Sequence, residues 1–411
     1  MGIVLRLAWR NLWRHKRRTW LTASAIAFVT VLMVFLITLQ LGSYDLMVDS
    51  SLRIYTAHMQ VQRAGFIDKP QIRKTVPDAV ALAARLRADP ALRGVSIAAR
   101  AQAFALVSSE KRSYGVQVVG VEPQFEPAVS TIPRLVKSGR FLSGPDAQEA
   151  VVGAPLAQNL NIKVGDELTL LGSAMDGSVA ATIVPVVGIF ESGMRDLDRA
   201  LIELPLGTFQ DLFGMNGGAH AIALLVPDLQ QLPQLKQAVA RQLPPGAGLE
   251  VHDWERLIPG LKQLIEADWT TGWFTYLALI AVVTFSILNT FIMSVLERTR
   301  EFGIMLALGA TPLRIGTLVF TETALLALIG LGIGLGLGFA LAAYLSVTGF
   351  TYPGLKEIMG QYGLPGMIYP KLSAQAILTG PVVIFGFILV AALYPALRIR
   401  KLQPVEAIHA V

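Results

Sequence analysis

The stretch "LERTREFGIMLALGATP", residues 296–312, separates two of the most apolar runs of the chain, and its reading decides how the chain folds back on itself. Glu297, Arg298, Arg300 and Glu301 crowd together, followed by Gly303, Gly309 and Pro312. Glu297–Arg300 and Arg298–Glu301 are three apart, which on a helix brings opposite charges within reach across one turn. Phe302, Met305 and Leu306 form an apolar side. Gly309 is placed to end that helix in the left-handed region, which a residue without Cβ enters freely. Thr311 and Pro312 then supply an N-cap and a first-turn residue for the next helix. The spacing predicts a compact surface helix within 297–314, at a sharp turn between two long apolar helices.

Composition makes those helices membrane spans. The chain has 411 residues, of which 53% are apolar and 16% charged, whereas soluble domains carry about 25% charge. A crossing needs about 20 apolar residues. Four segments qualify: 20–42, 273–296, 315–345 and 373–397. The third is longer than a span requires and is expected to tilt or reach into the headgroups. The first is too long for the apolar region of a signal peptide, and no small-x-small site follows it, so it is expected to be retained.

The net charge of +6 is concentrated beside these spans. Arg6, Arg10, Arg14, Lys16, Arg17 and Arg18 precede the first; Arg298, Arg300 and Arg314 lie between the second and third; Arg398, Arg400 and Lys401 follow the fourth. Positive charge retained on the cytoplasmic side is the membrane pattern, and it argues against nucleic acid as a partner. Both termini, the 297–314 segment and the 398–411 tail are then cytoplasmic. Residues 43–272 form one large external domain, and 346–372 an external loop. Residues 1–19 read as an amphipathic helix on the inner headgroups. Arg10 and Arg14 lie towards anionic lipid, with Trp9 and Trp13 at the interface.

The external segment alternates strand and helix. Residues 58–62, 95–107, 221–226 and 249–254 read as strands, and 77–90 and 229–243 as helices, with Pro259 bending or starting the helix that leads to the second span. The centre, 108–215, is rich in β-branched runs bounded by Gly and Pro and is expected to be an inserted β subdomain.

No constellation for catalysis is present. There are no cysteines, the five histidines are scattered, and neither H-E-x-x-H, G-x-S-x-G nor the G-x-x-x-x-G-K-[ST] phosphate loop occurs. No metal or cofactor site is expected, and the chain is not expected to hydrolyse ATP. Gly330, Gly334 and Gly338, four apart within the third span, predict a face for close helix packing, the partner helix being open. Glu322, about two turns inside that span, is a candidate for coupling or for an interfacial role. One acid and few amides cannot line a path for a polar solute.

The sequence is similar to the FtsX-like permeases, the family of the MacB macrolide exporters, the LolC/LolE lipoprotein-release proteins and the cell-division permease FtsX. The resemblance is carried by "LERTREFGIMLALGATPLRIGTLVFTE" (296–322), "LAWRNLWRHKRRTWLT" (7–22), "VVGVEP" (118–123), "SGRFLSGPDAQEAVVGAPLAQNLNIKVGDELTL" (138–170), "VVGIFESGMRDLD" (186–198) and "YPALRIRKLQPVEAI" (394–408). It implies a helical membrane domain of four helices, with a MacB-like mixed α/β periplasmic core domain inserted between helices 1 and 2. Within that core, 43–107 and 216–272 would be porter-like. It implies a homo- or heterodimer in the bacterial inner membrane, served by two cytoplasmic ABC ATPase subunits that bind ATP and Mg. The motor would move the periplasmic domains by mechanotransmission. Glu297, Arg298, Arg300, Glu301, Gly303 and Gly309 would belong to the segment that meets the ATPase. MacB carries its ATPase at its N-terminus; this chain opens at the first helix, so the ATPase is expected in trans. The cargo expected first is a lipoprotein. Tripartite drug or peptide efflux with an adaptor and an outer-membrane partner remains open, as does FtsX-like regulation of a periplasmic cell-wall hydrolase.

Overall fold

The computed structural model describes residues 2–357 and 366–398. The chain divides into two compact units: a helical unit of Met1–Tyr44, Ile265–Tyr352 and Met367–Val411, and an α/β unit of Asp45–Leu264 and Pro353–Gly366.

The helices of the first unit are α1 (Gly2–Arg14), α2 (Lys16–Ser51), α3 (Pro259–Glu297), α4 (Thr299–Ala307), α5 (Pro312–Thr348) and α6 (Ala374–Arg398). Four of them, α2, α3, α5 and α6, are long and apolar enough to cross a membrane. Ile26, Met33 and Ile37 of α2, Ile280 and Ile287 of α3, Leu331 of α5 and Ile384 and Ile388 of α6 form one buried cluster. Two boundaries move outward from the apolar runs, because helix continues wherever nothing breaks it. α2 begins at Lys16 and passes into a π turn at Leu52–Thr56. α3 starts at Pro259, where a missing N–H costs nothing because first-turn donors have no intrahelical acceptor. α6 keeps Pro381 and Pro395 in its interior. The basic residues Arg400 and Lys401, most of the 398–411 tail, the end of the 394–408 motif and part of the 346–372 loop lie outside the described residues.

The strands of the α/β unit are β1 (Met59–Arg63), β2 (Ser96–Ser108), β3 (Ser113–Val121), β4 (Val136–Gly139), β5 (Ala150–Gly153), β6 (Glu167–Ser173), β7 (Val179–Phe190), β8 (Leu201–Pro205), β9 (Ala221–Leu225) and β10 (Leu249–Asp253). They share one hydrogen-bonded path, β10-β1-β9-β2-β3-β8-β5-β7-β4, with β6 bridging β2 and β7. Strands of the 108–215 segment and of the flanking segments belong to one sheet. β2 is long enough to pair with β9 through Ser96–Arg100, with β3 through Arg100–Ser108 and with β6 through Ala105–Ser108. One strand thus belongs to both halves.

Both sheet faces are covered over the middle of this path, which is why β5, β8 and β9 are buried along their whole length. One face packs the helices at 79–88, 154–160, 206–213 and 232–242 through residues such as Leu86, Leu156, Phe209 and Val239. The other packs Ile54 and Ile132 over Val119, Val151 and Leu201. The helix at Leu232–Gln242 begins one residue before Pro233, so that proline opens the helix rather than interrupting it.

Candidate functional site

The 296–312 turn is built as a clamp. α3 ends at Glu297, α4 starts at Thr299 and ends at Ala307, and Gly309 has φ 92°. The N–H of Gly309 donates to the Leu306 carbonyl at 3.0 Å and that of Ala310 to the Met305 carbonyl at 2.9 Å. These two bonds satisfy carbonyls that a helix end leaves orphaned, and they reverse the chain. Pro312 opens α5 with Thr311 in extended conformation before it, although the Thr311 hydroxyl makes no capping bond. Phe302, with partly buried Met305 and Leu306, packs on Ile315 and Val319 of α5, so the turn is held by its own apolar side. Gly303 is buried in α4.

The charges pair differently from the spacing rule. Glu297 is engaged by Arg18 of α2 at 3.1 Å rather than by Arg300. Arg298 does pair with Glu301 at 3.2 Å, and Glu301 is also reached by Arg14 of α1 at 3.4 Å. Arg298 turns inward as well: Nη1 lies 2.9 Å from Glu322 Oε2, with the two side chains 12% and 13% exposed. Its guanidinium also stands 5.1 Å from the Phe302 ring centroid. Asn11 of α1 donates to the other Glu322 oxygen at 2.5 Å. Glu322 is thus the buried end of a network that ties α1, the α3–α4 junction and α5 together. Side-chain burial ranks these bonds. The exposed Arg14–Glu301 pair is worth little in water, whereas Arg298–Glu322 is nearly dry and costly to break. A small cavity beside it is lined by Asn11, Arg18, Thr22, Ser294, Arg298 and Glu322 among others.

α1 is more than a headgroup float. Ala8 and Leu12 are buried, Trp13 packs with Leu326 and Ile329 of α5, and the Thr19 hydroxyl donates to the Leu12 carbonyl at 2.6 Å. Trp9 and Arg10 stay exposed, while Arg14 faces Glu301 rather than lipid alone. Asn11, and the pairing of Arg18 with Glu297, escaped the sequence reading. The signal was present in Asn11, an amide next to the buried leucine of an amphipathic helix.

The glycine stripe packs against α2 of the same chain. A Cβ at Gly330 would meet Ile26 at 2.7 Å, one at Gly334 would meet Thr30 at 2.5 Å and one at Gly338 would meet Val34 at 3.1 Å.

What α4 leaves uncovered is equally defined. Arg300, Ile304 and Leu308 are four apart, on one stripe. All three are exposed, Leu308 to 83%, and Leu313 beyond the turn is also exposed. Sequence reading emphasised the acids and missed the two outward apolar residues.

The family model for the MacB-like periplasmic core domain matches residues 19–242, and that for the FtsX-like permease C-terminal region matches 273–404. The chain belongs to this family of FtsX/MacB-type ABC transporter permeases, transmembrane proteins with four membrane helices and a MacB-type α/β periplasmic domain inserted between the first and second. It is 27% identical to the lipoprotein-releasing system transmembrane protein LolE of Haemophilus influenzae over 79% of each chain. It is 26% identical to the LolC protein of Xylella fastidiosa over 80% of each. It is also 24% identical, over 98% of each chain, to the uncharacterized ABC transporter permease YvrN of Bacillus subtilis.

Proposed function

We propose that the chain is the membrane subunit of a lipoprotein-release transporter, driven from the cytoplasm by a separate ABC ATPase. The observation that carries the ATPase contact is the exposed Arg300–Ile304–Leu308 stripe on a helix that is otherwise clamped by Phe302, Arg298 and a glycine stop. A rigid helix with two outward apolar residues and one cation suits docking in a protein groove. Membership of the ABC transporter permease family supports a partner ATPase, which binds ATP and Mg. The basic clusters support cytoplasmic termini in a bacterial inner membrane, with the α/β domain on the opposite side.

Lipoprotein as cargo is supported by the similarity to LolE and LolC, and Glu322 within α5 is already committed to Arg298 and Asn11 rather than to a polar solute. The span of α3 is only 17% buried within the chain and exposes Phe274, Val282 and Phe285. That surface suits a second permease subunit and an acyl chain entering beside α2 and α3. Two permeases, identical or different, and two ATPases complete the assembly. Release by mechanotransmission follows if α4 passes the ATPase stroke into α1 and α5 through the Arg298–Glu322 network.

The test replaces Leu308→Ser, Glu301→Lys and Gly309→Val separately and measures co-purification of the ATPase and permease-stimulated ATP turnover. Leu308→Ser should lower both about tenfold, the equivalent of one buried aliphatic contact. Unchanged co-purification and turnover in all three would sink the contact. Lipoproteins that leave the membrane normally in cells depleted of the chain would sink the cargo.

A further inference from the structure

We infer that the α/β domain carries a groove for an extended, uncharged peptide segment, running along the middle of β2. Two adjoining cavities share Phe66, Pro70 and Gln102 as walls. Together they follow β2 from Arg100 to Phe104, a run of about 13 Å at ~3.4 Å per residue, the length of roughly four extended residues.

The floor is made of side-chain amides. Gln60 donates to the Thr56 carbonyl at 2.7 Å, and Gln62 donates to Gln60 Oε1 at 2.6 Å. Gln102 Oε1 accepts from the Tyr55 hydroxyl at 3.1 Å and from Gln117 at 2.9 Å. Two valences remain. Gln62, 5% exposed, has a buried Oε1 with no donor. Among the described residues, Gln102 Nε2 has no acceptor. Gln62 Oε1 on β1 and Gln102 Nε2 on β2, with β9 between the two strands, are an acceptor and a donor for an N–H and a C=O from different peptide units of an extended segment.

The surroundings select against charge. Arg100 is the one permanently charged lining residue, and its guanidinium is occupied by Glu126, at 3.1 and 2.5 Å, and by the Tyr55 carbonyl. His220 is held neutral, with Nδ1 accepting from the Gln102 N–H at 2.9 Å and Nε2 donating to the Ile72 carbonyl at 3.1 Å. Phe66, Pro70 and Ile72 supply apolar walls for small side chains. Thr56 and Leu257 also line the groove.

This rests on the lipoprotein reading: the occupant is the polypeptide stretch that follows the lipid anchor. The test uses the full chain in nanodiscs and two fluorescent probes, the tetrapeptide Ser-Ala-Asn-Ser and the same peptide N-palmitoylated. Gln102→Leu should weaken both probes about tenfold, and Gln62→Met likewise; Gln102 is half-buried, so its variant stays informative if Gln62→Met misfolds. A peptide carrying Glu at the second position should bind weakly to all forms. Equal binding of both peptides by wild type and Gln102→Leu, or no binding of either by wild type, overturns the groove. If only the palmitoylated peptide binds, equally in all variants, the lipoprotein reading survives and the groove fails. If both peptides bind with the same affinity and both weaken in Gln102→Leu, the groove stands and the lipid-anchored cargo fails.

Discussion

Arg298 and Glu322, 24 residues apart in sequence, meet at 2.9 Å with nearly all of both side chains removed from solvent. The pair joins the start of the surface helix α4 to the third turn of α5, and Asn11 completes it from α1. Removing one partner leaves an uncompensated charge in a poorly hydrated site, at a cost of about 3 kcal/mol. Arg298→Ala and Glu322→Leu should each lower the midpoint of thermal unfolding in nanodiscs, followed by tryptophan fluorescence. The double substitution Arg298→Met with Glu322→Leu should recover most of the loss. Additive losses in the double variant would show that the two residues act independently.

The glycines of α5 should divide by face. Gly334 lies against α2, where a Cβ would stand 2.5 Å from Thr30 Cβ and 2.7 Å from the Ala27 carbonyl oxygen, whereas a Cβ at Gly336 would have nothing within 4 Å. Gly334→Val should therefore force α2 and α5 apart and cost about 2–3 kcal/mol by overpacking. Gly336→Ala should be neutral or gain up to about 1 kcal/mol of helix propensity. Unfolding midpoints of the two variants decide the matter, and the reverse order would contradict the packing.

His220 makes a pH prediction. Burial disfavours its charged form and outweighs the bond to the Ile72 carbonyl, so its pKa falls from 6.5 to about 4. The unfolded chain therefore binds the proton first. The stability due to neutral His220 is complete above pH 6.5 and is lost as the pH falls towards about 4. Between pH 7 and 4.5 the loss is about 2–3 kcal/mol. His220→Phe should flatten this part of the profile, measured by unfolding of the full chain against pH. A variant that retained the wild-type slope would assign the titration elsewhere.

Much of this architecture is legible in one dimension. Apolar runs of sufficient length fix the four membrane helices, because hydrocarbon admits only segments whose backbone is internally bonded. The Gly309 stop and the Pro312 start were readable for the same reason, since both act through the backbone of their own residues. The alternation of strand and helix in the segments flanking 108–215 was equally local, whereas the helices at 154–160 and 206–213 inside that segment were not read from it.

Partner choice was not local. Spacing correctly paired Arg298 with Glu301, but it also offered Arg300 to Glu297, which instead bonds Arg18. Spacing did not reveal that Arg298 reaches Glu322 and that α1 supplies Asn11. Likewise the sequence showed a glycine face but not that α2 fills it, and it did not show that β2 pairs with strands of both the flanking and the central segments. By itself the sequence determined which segments are membrane helices, where they turn, and the family to which the chain is similar. The tertiary structure decided which charges meet and which side of α4 is left bare. Those outcomes depend on distances between elements remote in the chain, and a short-range pattern of residue types does not encode them.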